Sequence, residues 1–272
     1  MQLEDHIGDI CRKARLQSKI ASHLVANAAK ITQAELELFE SNGLTLPAMD
    51  QLALFDVVKL DQHKAERVAQ GWLPDPVDLS MWKELRMITT TENFSVNCFL
   101  IWDLESRQAA LFDTGWFAAE IIQFVARYQL SLDHLFVTHS HGDHIAAIVD
   151  IRRHYPNVQI HSNSRSAPKG QHNIMGAVIQ VGRLEVAHRL TPGHAEDSVT
   201  YLINGWPQQK RQVAIVGDAI FAGSMGKDFH TPDIAKQHIR EQILSLPSDT
   251  LICPGHGPVT TVEEENSHNP FF

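Results

Sequence analysis

Apolar positions recur every three or four residues through the first 70 residues, in stretches broken by Asn, Gly, Pro or Asp. "LEDHIGDICRKARLQ", "KIASHLVANAAK", "TQAELELFESNG", "PAMDQLALFDVV" and "DQHKAERVAQG" each carry one apolar stripe, which predicts five short amphipathic helices in a compact bundle. "GWLPDPVDLSMW" reads as a connector, because Pro74 and Pro76 stop a helix from running through. The pattern then changes to strands and helices in alternation. "FSVNCFLIWD" and "QAALFD" predict a hairpin around "LESR", "AAEIIQFVARYQ" a helix, "HLFVT" a strand and "IAAIVDIRRHY" a helix. "LEVAHRL", "SVTYLI" and "QVAIVG" read as strands, "TPDIAKQHIREQILSL" as a late helix and "TLIC" as a last strand. The expected organisation is a helical accessory domain over 1–72, a connector over 73–85 and an α/β domain over 86–272.

Composition narrows the class. A chain of 272 residues with 43% hydrophobic side chains can bury a sizeable core. No apolar run approaches the roughly 20 residues needed to cross a bilayer, and "MQLEDHIGDICRKARLQ" lacks the apolar stretch of a secretory leader. A soluble, cytoplasmic protein with no membrane contact is expected. Cys11, Cys98 and Cys253 are odd in number and form no CxxC pair, which excludes a disulfide framework or a thiolate zinc ribbon. The formal charge of −9 argues against a general surface for nucleic acid or anionic lipid.

Candidate chemistry lies at the ends of the strands. Four apolar β-type runs are each followed by side chains that can hold a metal: "LFVTHSHGDH", "LEVAHRLTPGH", "QVAIVGD" and "TLICPGH". A loop anchored by a buried strand is held rigidly, so ligands from several strand ends can converge on one point. One "PGH" alone would be a polar turn; four clusters together point to a metal centre. Imidazole and carboxylate suit Zn, Fe or Mn, and the lack of cysteine favours an open catalytic site over a closed structural one. The close spacing in "HSHGDH" cannot be served by one helical face, so that segment is a loop turned by Gly142.

"LFDTG", "HSHGDH", "TPGHAEDS", "VGDAIFAG" and "PGHGP", in this order, resemble the motif set of the metallo-β-lactamase superfamily over roughly residues 86–272. The resemblance implies an αββα sandwich of two sheets between helices. It assigns His139, His141 and His194 to one metal and Asp143, His144 and His256 to a second, with Asp218 bridging both. Asp113 resembles a position that braces the metal loop without touching the metal. His134, His154, His161, His172, His188 and His230 match no ligand position, although His172 and His230 fall in long loops that could border a pocket. The implied cofactor is a pair of divalent ions, zinc first, with iron or manganese as alternatives. A hydroxide between the two ions would attack a carbonyl, with Asp143 and Asp218 as the catalytic carboxylates.

"HIREQILSLPSDTLICPGHGPVT" and "EEENSHNPFF" resemble the glyoxalase II-type hydrolases, which implies a small thioester substrate such as a glutathione or other thiol ester. Lys169, Arg165 and Lys227, with His172, are the candidate contacts for an acidic substrate. The chain departs from that pattern at Lys227 in "AGSMGKDF" and at "IAA" after the metal loop. The same motifs also resemble the persulfide dioxygenases, in which equivalents of His139, His194 and Asp218 would hold a single iron.

"IGDICRKARLQSKIASHLVANAAKITQAELELFESNG" resembles a Cro/repressor-type helix-turn-helix, whose second helix would be "TQAELELFESN". That helix carries Glu35, Glu37 and Glu40 and no basic residue. The first 70 residues hold eight basic and ten acidic side chains, a net charge of −2. This pattern opposes DNA binding. The bundle is expected instead to pack against the hydrolase domain or a second subunit, the latter giving a homodimer.

Overall fold

The computed structural model describes residues 2–207, 211–228 and 230–272. The five expected helices are α1 (Ile7–Gln17), α2 (Ser22–Ala28), α3 (Gln33–Asn42), α4 (Gln51–Val57) and α5 (Gln62–Ala69). Local chemistry sets their ends. Thr32 and Glu35 form a capping box at α3, Asp50 and Asp61 cap α4 and α5, and Gly43 closes α3 at φ 71°. Leu36, Phe39, Leu54 and Phe55 are at most 1% exposed, and burying each side chain contributes about 1.5–3 kcal/mol.

Next come β1 (Leu85–Thr91), β2 (Ser95–Trp102), β3 (Gln108–Phe112), α6 (Ala119–Arg127), β4 (Ser131–Phe136), α7 (Gly142–Ile145), α8 (Ile148–His154) and β5 (Gln159–His161). These strands form one sheet in the order β1-β2-β3-β4-β5, antiparallel as far as β3 and parallel from β3 to β5. The remaining elements are β6 (Ile179–Val181), β7 (Leu184–Leu190), β8 (Val199–Asn204), β9 (Val213–Gly217), a small hairpin of β10 (Ile220–Phe221) and β11 (Ser224–Met225), α9 (Pro232–Ile239), β12 (Leu251–Pro254), β13 (Thr260–Thr261) and α10 (Val262–His268). The second sheet runs β13-β12-β9-β8-β7-β6, and only β9 and β12 pair in parallel within it.

The two sheets face each other across Phe99, Ile101, Phe112 and Phe136 on one side and Val199, Tyr201, Ile215 and Cys253 on the other. The opposite face of the first sheet packs Leu100, Leu111 and Leu135 against Ile121 and Val125 of α6 and Ile151 of α8. Burial on both faces explains the apolar run Cys98–Trp102 within β2, where alternation is lost. The outer face of the second sheet, with Leu202, Ala214, Val216 and Ile252, belongs to one apolar cluster with α9, α10 and the amino-terminal helices. The architecture is the expected αββα sandwich, with α1–α5 sharing the core of one helical layer.

Polar contacts reinforce that junction. Asp61 N donates to Pro270 O at 2.9 Å, and Lys64 Nζ donates to the carbonyls of Asn266 and Phe272 at 2.8 and 3.0 Å. Lys13 is buried, pairs with Asp5 and donates to Met225 O at 2.7 Å. Arg15 forms a forked pair with the buried Glu40, at 2.6 and 2.7 Å. These two cations of the helix-turn-helix resemblance are therefore engaged inside the protein.

Three features escape the hydropathy pattern. β5, β6, β10, β11 and β13 have two or three residues each, too few to show alternation, and β1 is half polar because it lies at a sheet edge. The late helix is α9 followed by a π-helical turn over Arg240–Leu244. α10 forms from the carboxyl-terminal "VEEENSH", with Thr261 as its cap.

Candidate metal centre

The loops after β4, β7, β9 and β12 meet at one end of the sandwich. β4 delivers His139, His141, Asp143 and His144, β7 leads to His194, β9 to Asp218 and β12 to His256. All seven residues named by the sequence pattern lie in this one place. His139, His141 and His194 form one group, Asp143, His144 and His256 another, and His139, His144 and Asp218 a third that joins them. Asp218 is the centre of the arrangement. Its carboxylate lies 3.2 Å from His144 Nε2, 3.3 Å from His256 Nε2, 3.5 Å from His194 Nε2 and 4.0 Å from His139 Nε2. Asp143 Oδ2 lies 3.3 Å from His256 and 3.4 Å from His144.

A second layer aims these rings. Thr138 Oγ1 lies 3.1 Å from His139 Nδ1, the carbonyl of Lys227 lies 3.2 Å from His194 Nδ1, and the carbonyl of Ser95 lies 2.7 Å from His256 Nδ1. Asp113 Oδ2 lies 2.7 Å from His144 Nδ1. With Nδ1 engaged outward, each of these four rings turns Nε2 inward. Asp113 also accepts from the Thr138 hydroxyl at 2.7 Å and sits at φ 57°, a left-handed conformation that few non-glycine residues adopt.

The donors fit a cation. Among the described residues, His139 Nε2, His144 Nε2 and Asp218 Oδ1 are buried without a hydrogen-bond partner. Leaving each buried group unpaired costs about 1–3 kcal/mol. These unpaired nitrogen and carboxylate atoms, clustered without sulfur, suit Zn, Fe or Mn.

Electrostatics agree. Burial alone would lower His144 and His256, but Asp113 and Asp218 hold His144 up at about 10, and Asp143 and Asp218 hold His256 up at about 11. Burial resists ionisation of Asp218, yet His144 and His256 keep it well below the usual carboxylate range. Burial and neighbouring imidazoles push His139 well down, and burial also lowers His194. Three carboxylates, Asp113, Asp143 and Asp218, thus favour positive charge at this end of the sandwich, and a divalent cation held there would displace any proton from the ligating imidazole nitrogens.

The surroundings divide the site into a wet and a dry side. His141 is exposed, whereas His144 and His256 are buried. Phe94 and Phe221 lie 5.6 and 5.8 Å from the His256 ring, and Trp116 meets Phe94 edge-on at 5.3 Å. These aromatics were not legible as site residues. Neither were Gly226 and Gly255: a Cβ at Gly226 would meet the Asp218 carbonyl and the His194 side chain, and one at Gly255 would meet Asp218 Oδ1 and His144 Cε1. The "PGH" motif marks Gly255, but only the fold shows why a side chain is excluded there.

The candidate substrate contacts separate. Lys227 is exposed, and its backbone touches His194. Lys169 is exposed on a one-turn helix over Lys169–Gln171, and Arg165 pairs on the surface with Glu196 at 3.1 Å. His172 lines a cavity of about 240 Å³ with Phe136, His161, His188 and Tyr201, which none of the seven metal-site residues lines. Ile145 and Ala147 of the "IAA" departure pack into the core under α6 and α8.

Two facing sheets with a His/Asp centre at their edge define a metal-binding αββα protein. The family model described as "Metallo-beta-lactamase superfamily" matches residues 91–256, and the chain belongs to that superfamily. Hydroxyacylglutathione hydrolase GloC of Haemophilus influenzae is 29% identical over 206 residues, covering 66% of this chain and 93% of that protein. The mitochondrial persulfide dioxygenase ETHE1 of Homo sapiens is 33% identical over 181 residues, covering 63% of this chain and 69% of that protein. The crystal structure of ETHE1 from Myxococcus xanthus matches with a TM-score of 0.60 at 29% identity, over 68% of this chain and 83% of that one. The amino-terminal helices precede the matched segment, so their helix-turn-helix resemblance remains an expectation. No helix among the described residues is long and apolar enough to cross a membrane.

Proposed function

We propose that the chain is a metal-dependent hydrolase of a small thioester or related ester, of glyoxalase II type, with two divalent ions held by the seven His and Asp residues. The carrying observation is Asp218, whose carboxylate stands within 4.0 Å of histidines from both groups. His139, His141 and His194 would hold one ion and Asp143, His144 and His256 the other. When bound, such ions lower the pKa of a coordinated water to about 7 and polarise a carbonyl. Asp143, half-buried with Oδ2 3.3 Å from His256, would help hold the second ion and would orient a water beside it. Phe94, Trp116 and Phe221 keep solvent from the buried side, and the exposed edge at His141 and Lys227 admits the substrate.

The similarity to ETHE1 favours a second reading, a persulfide dioxygenase with one iron at His139, His194 and Asp218. Elemental analysis of protein purified without added metal, paired with thioester hydrolysis and oxygen uptake, separates the two. Two ions per chain with hydrolysis is the expected result. One iron per chain with oxygen consumption defeats the hydrolase reading. His139→Ala and Asp218→Ala are expected to lose metal and activity together; unaltered metal content in both would sink the site assignment.

A further inference from the structure

A cleft of about 410 Å³ lies between the amino-terminal bundle and the start of α9. Lys19 and Lys59, just past the ends of α1 and α4, line one wall; His230, Asp233 and Lys236 line the other. Three lysines thus face one carboxylate, in a chain whose formal charge is −9. Lys30, the equivalent residue after α2, is paired with Asp50 at 3.0 Å. Lys19, Lys59 and Lys236 have no carboxylate within ion-pair distance among the described residues. Burial lowers the Lys236 ammonium, and Arg240 and Lys59 lower it further against the opposing pull of Asp233. The cleft therefore carries uncompensated positive charge.

Two further features supply directed donors. α9 begins at Pro232 without a side-chain cap; Thr231, at the cap position, gives its N–H and its hydroxyl to the buried Asp228 at 3.1 and 3.3 Å. Pro232 has no N–H and Asp228 takes those of His230 and Thr231, but no side-chain cap takes the N–H groups of Asp233 and Ile234, which line the cleft at the first turn, where helices bind anions. Gln17, also lining the cleft, is 4% exposed, and neither of its amide atoms has a hydrogen-bond partner among the described residues. A buried amide left unpaired costs about 1–3 kcal/mol unless a ligand or an ordered water completes it.

We propose that this cleft binds a phosphate group carried on a small-molecule ligand. Phosphate suits it better than carboxylate, since three ammonium groups and amide donors exceed what two oxygens can accept, and lysine serves phosphate as a point charge. A short stretch of chain ties the cleft wall to the metal centre. His230 lies three residues from Lys227, whose carbonyl holds His194, so the chain separates them by at most about 10 Å. A phosphate here would anchor the thiol end of a thioester whose acyl group reaches the metals, an extension that rests on the hydrolase reading above.

Calorimetric titration of the metal-loaded protein with inorganic phosphate at low ionic strength tests the site directly. The double variant Lys19→Ala/Lys59→Ala, changed only at exposed positions, is expected to bind phosphate at least tenfold more weakly with unaltered metal content. Lys19→Arg/Lys59→Arg is expected to retain binding. Equal affinity in the wild type and the alanine variant would place the anion elsewhere, and no binding by the wild type at millimolar phosphate would remove the site; either overturns the proposal. In kinetics, the alanine variant should raise KM about tenfold for a coenzyme A thioester and leave a phosphate-free thioester unchanged. Lysine-dependent phosphate binding in a protein that hydrolyses no thioester would uphold the cleft and defeat only the hydrolase reading.

Discussion

Asp113 lies 2.7 Å from His144 Nδ1 through one carboxylate oxygen and takes the Thr138 N–H at 2.8 Å through the other. One buried side chain thereby fixes both ends of the HSHGDH loop. Asp113→Ala is expected to weaken metal affinity about 10–100-fold, the usual effect of losing a residue that orients a ligand. Competition with a chelator measures this, with circular dichroism as the check on folding. Wild-type affinity in the variant would show that the loop holds itself.

Gly255 lies so close to Asp218 and His144 that a methyl group there must move one of them. Both are ligand candidates packed on all sides. Gly255→Ala should lose most of its bound metal while the apolar core, and hence most of the circular dichroism signal, persists. Full metal content would mean that the backbone after β12 yields, contrary to its pairing with β9.

Lys13 and Asp5 form a buried ion pair to which Ser224 Oγ also donates, at 2.6 Å from Asp5. The Lys13 ammonium lies 5.2 Å from the Phe221 ring, which in turn stands 5.8 Å from His256. Lys13→Met should cost about 3–5 kcal/mol by leaving a buried carboxylate unpaired. Asp5→Asn combined with Lys13→Met should recover much of that loss. Urea unfolding of both variants checks the sign, and equal losses in the two would show that packing, not charge, dominates.

Glu265 is fully buried, accepting from Thr260 Oγ1, the Gly223 N–H and Asn269 Nδ2. Burial raises its pKa to about 7, above the ordinary value of 4.5, although these three donors favour the charged form. A raised carboxyl pKa means that the folded state holds the proton more tightly. Its contribution is therefore complete below about pH 4.5 and is lost as pH rises through about 7, on the order of 3 kcal/mol in total. Glu265→Gln can keep the acceptor side and donate to Thr260. The melting temperature of the wild type should fall relative to Glu265→Gln between pH 5.5 and 8.5; parallel curves would show that Glu265 does not titrate in that range.

Much of this was legible along the chain. The five amino-terminal helices follow from 3.6-residue periodicity and from Thr32, Asp50 and Asp61 at their starts. Strand runs that end in His or Asp point to four clusters of possible ligands, and the resemblance to the superfamily picks the seven clustered residues of the candidate site from them. Nothing along the chain marks Lys13 as interior, yet it is buried with contacts 211 and 212 residues away. His172 looked like a pocket residue and is one, but in a separate cavity.

The sequence by itself determined most of the longer elements and the residue types gathered at strand ends, since periodicity, capping and strand-end motifs act over a few residues, and its ordered motifs implied the sandwich through their resemblance to a family. Only the tertiary structure decided that α1–α5 share a core with the second sheet, that Gly255 must lack a side chain, and that Lys19 and Lys59 face Lys236 across a cleft. The reason is distance along the chain. Those relationships join residues tens to hundreds of positions apart, and burial, steric exclusion and unbalanced charge arise only when folding brings them together.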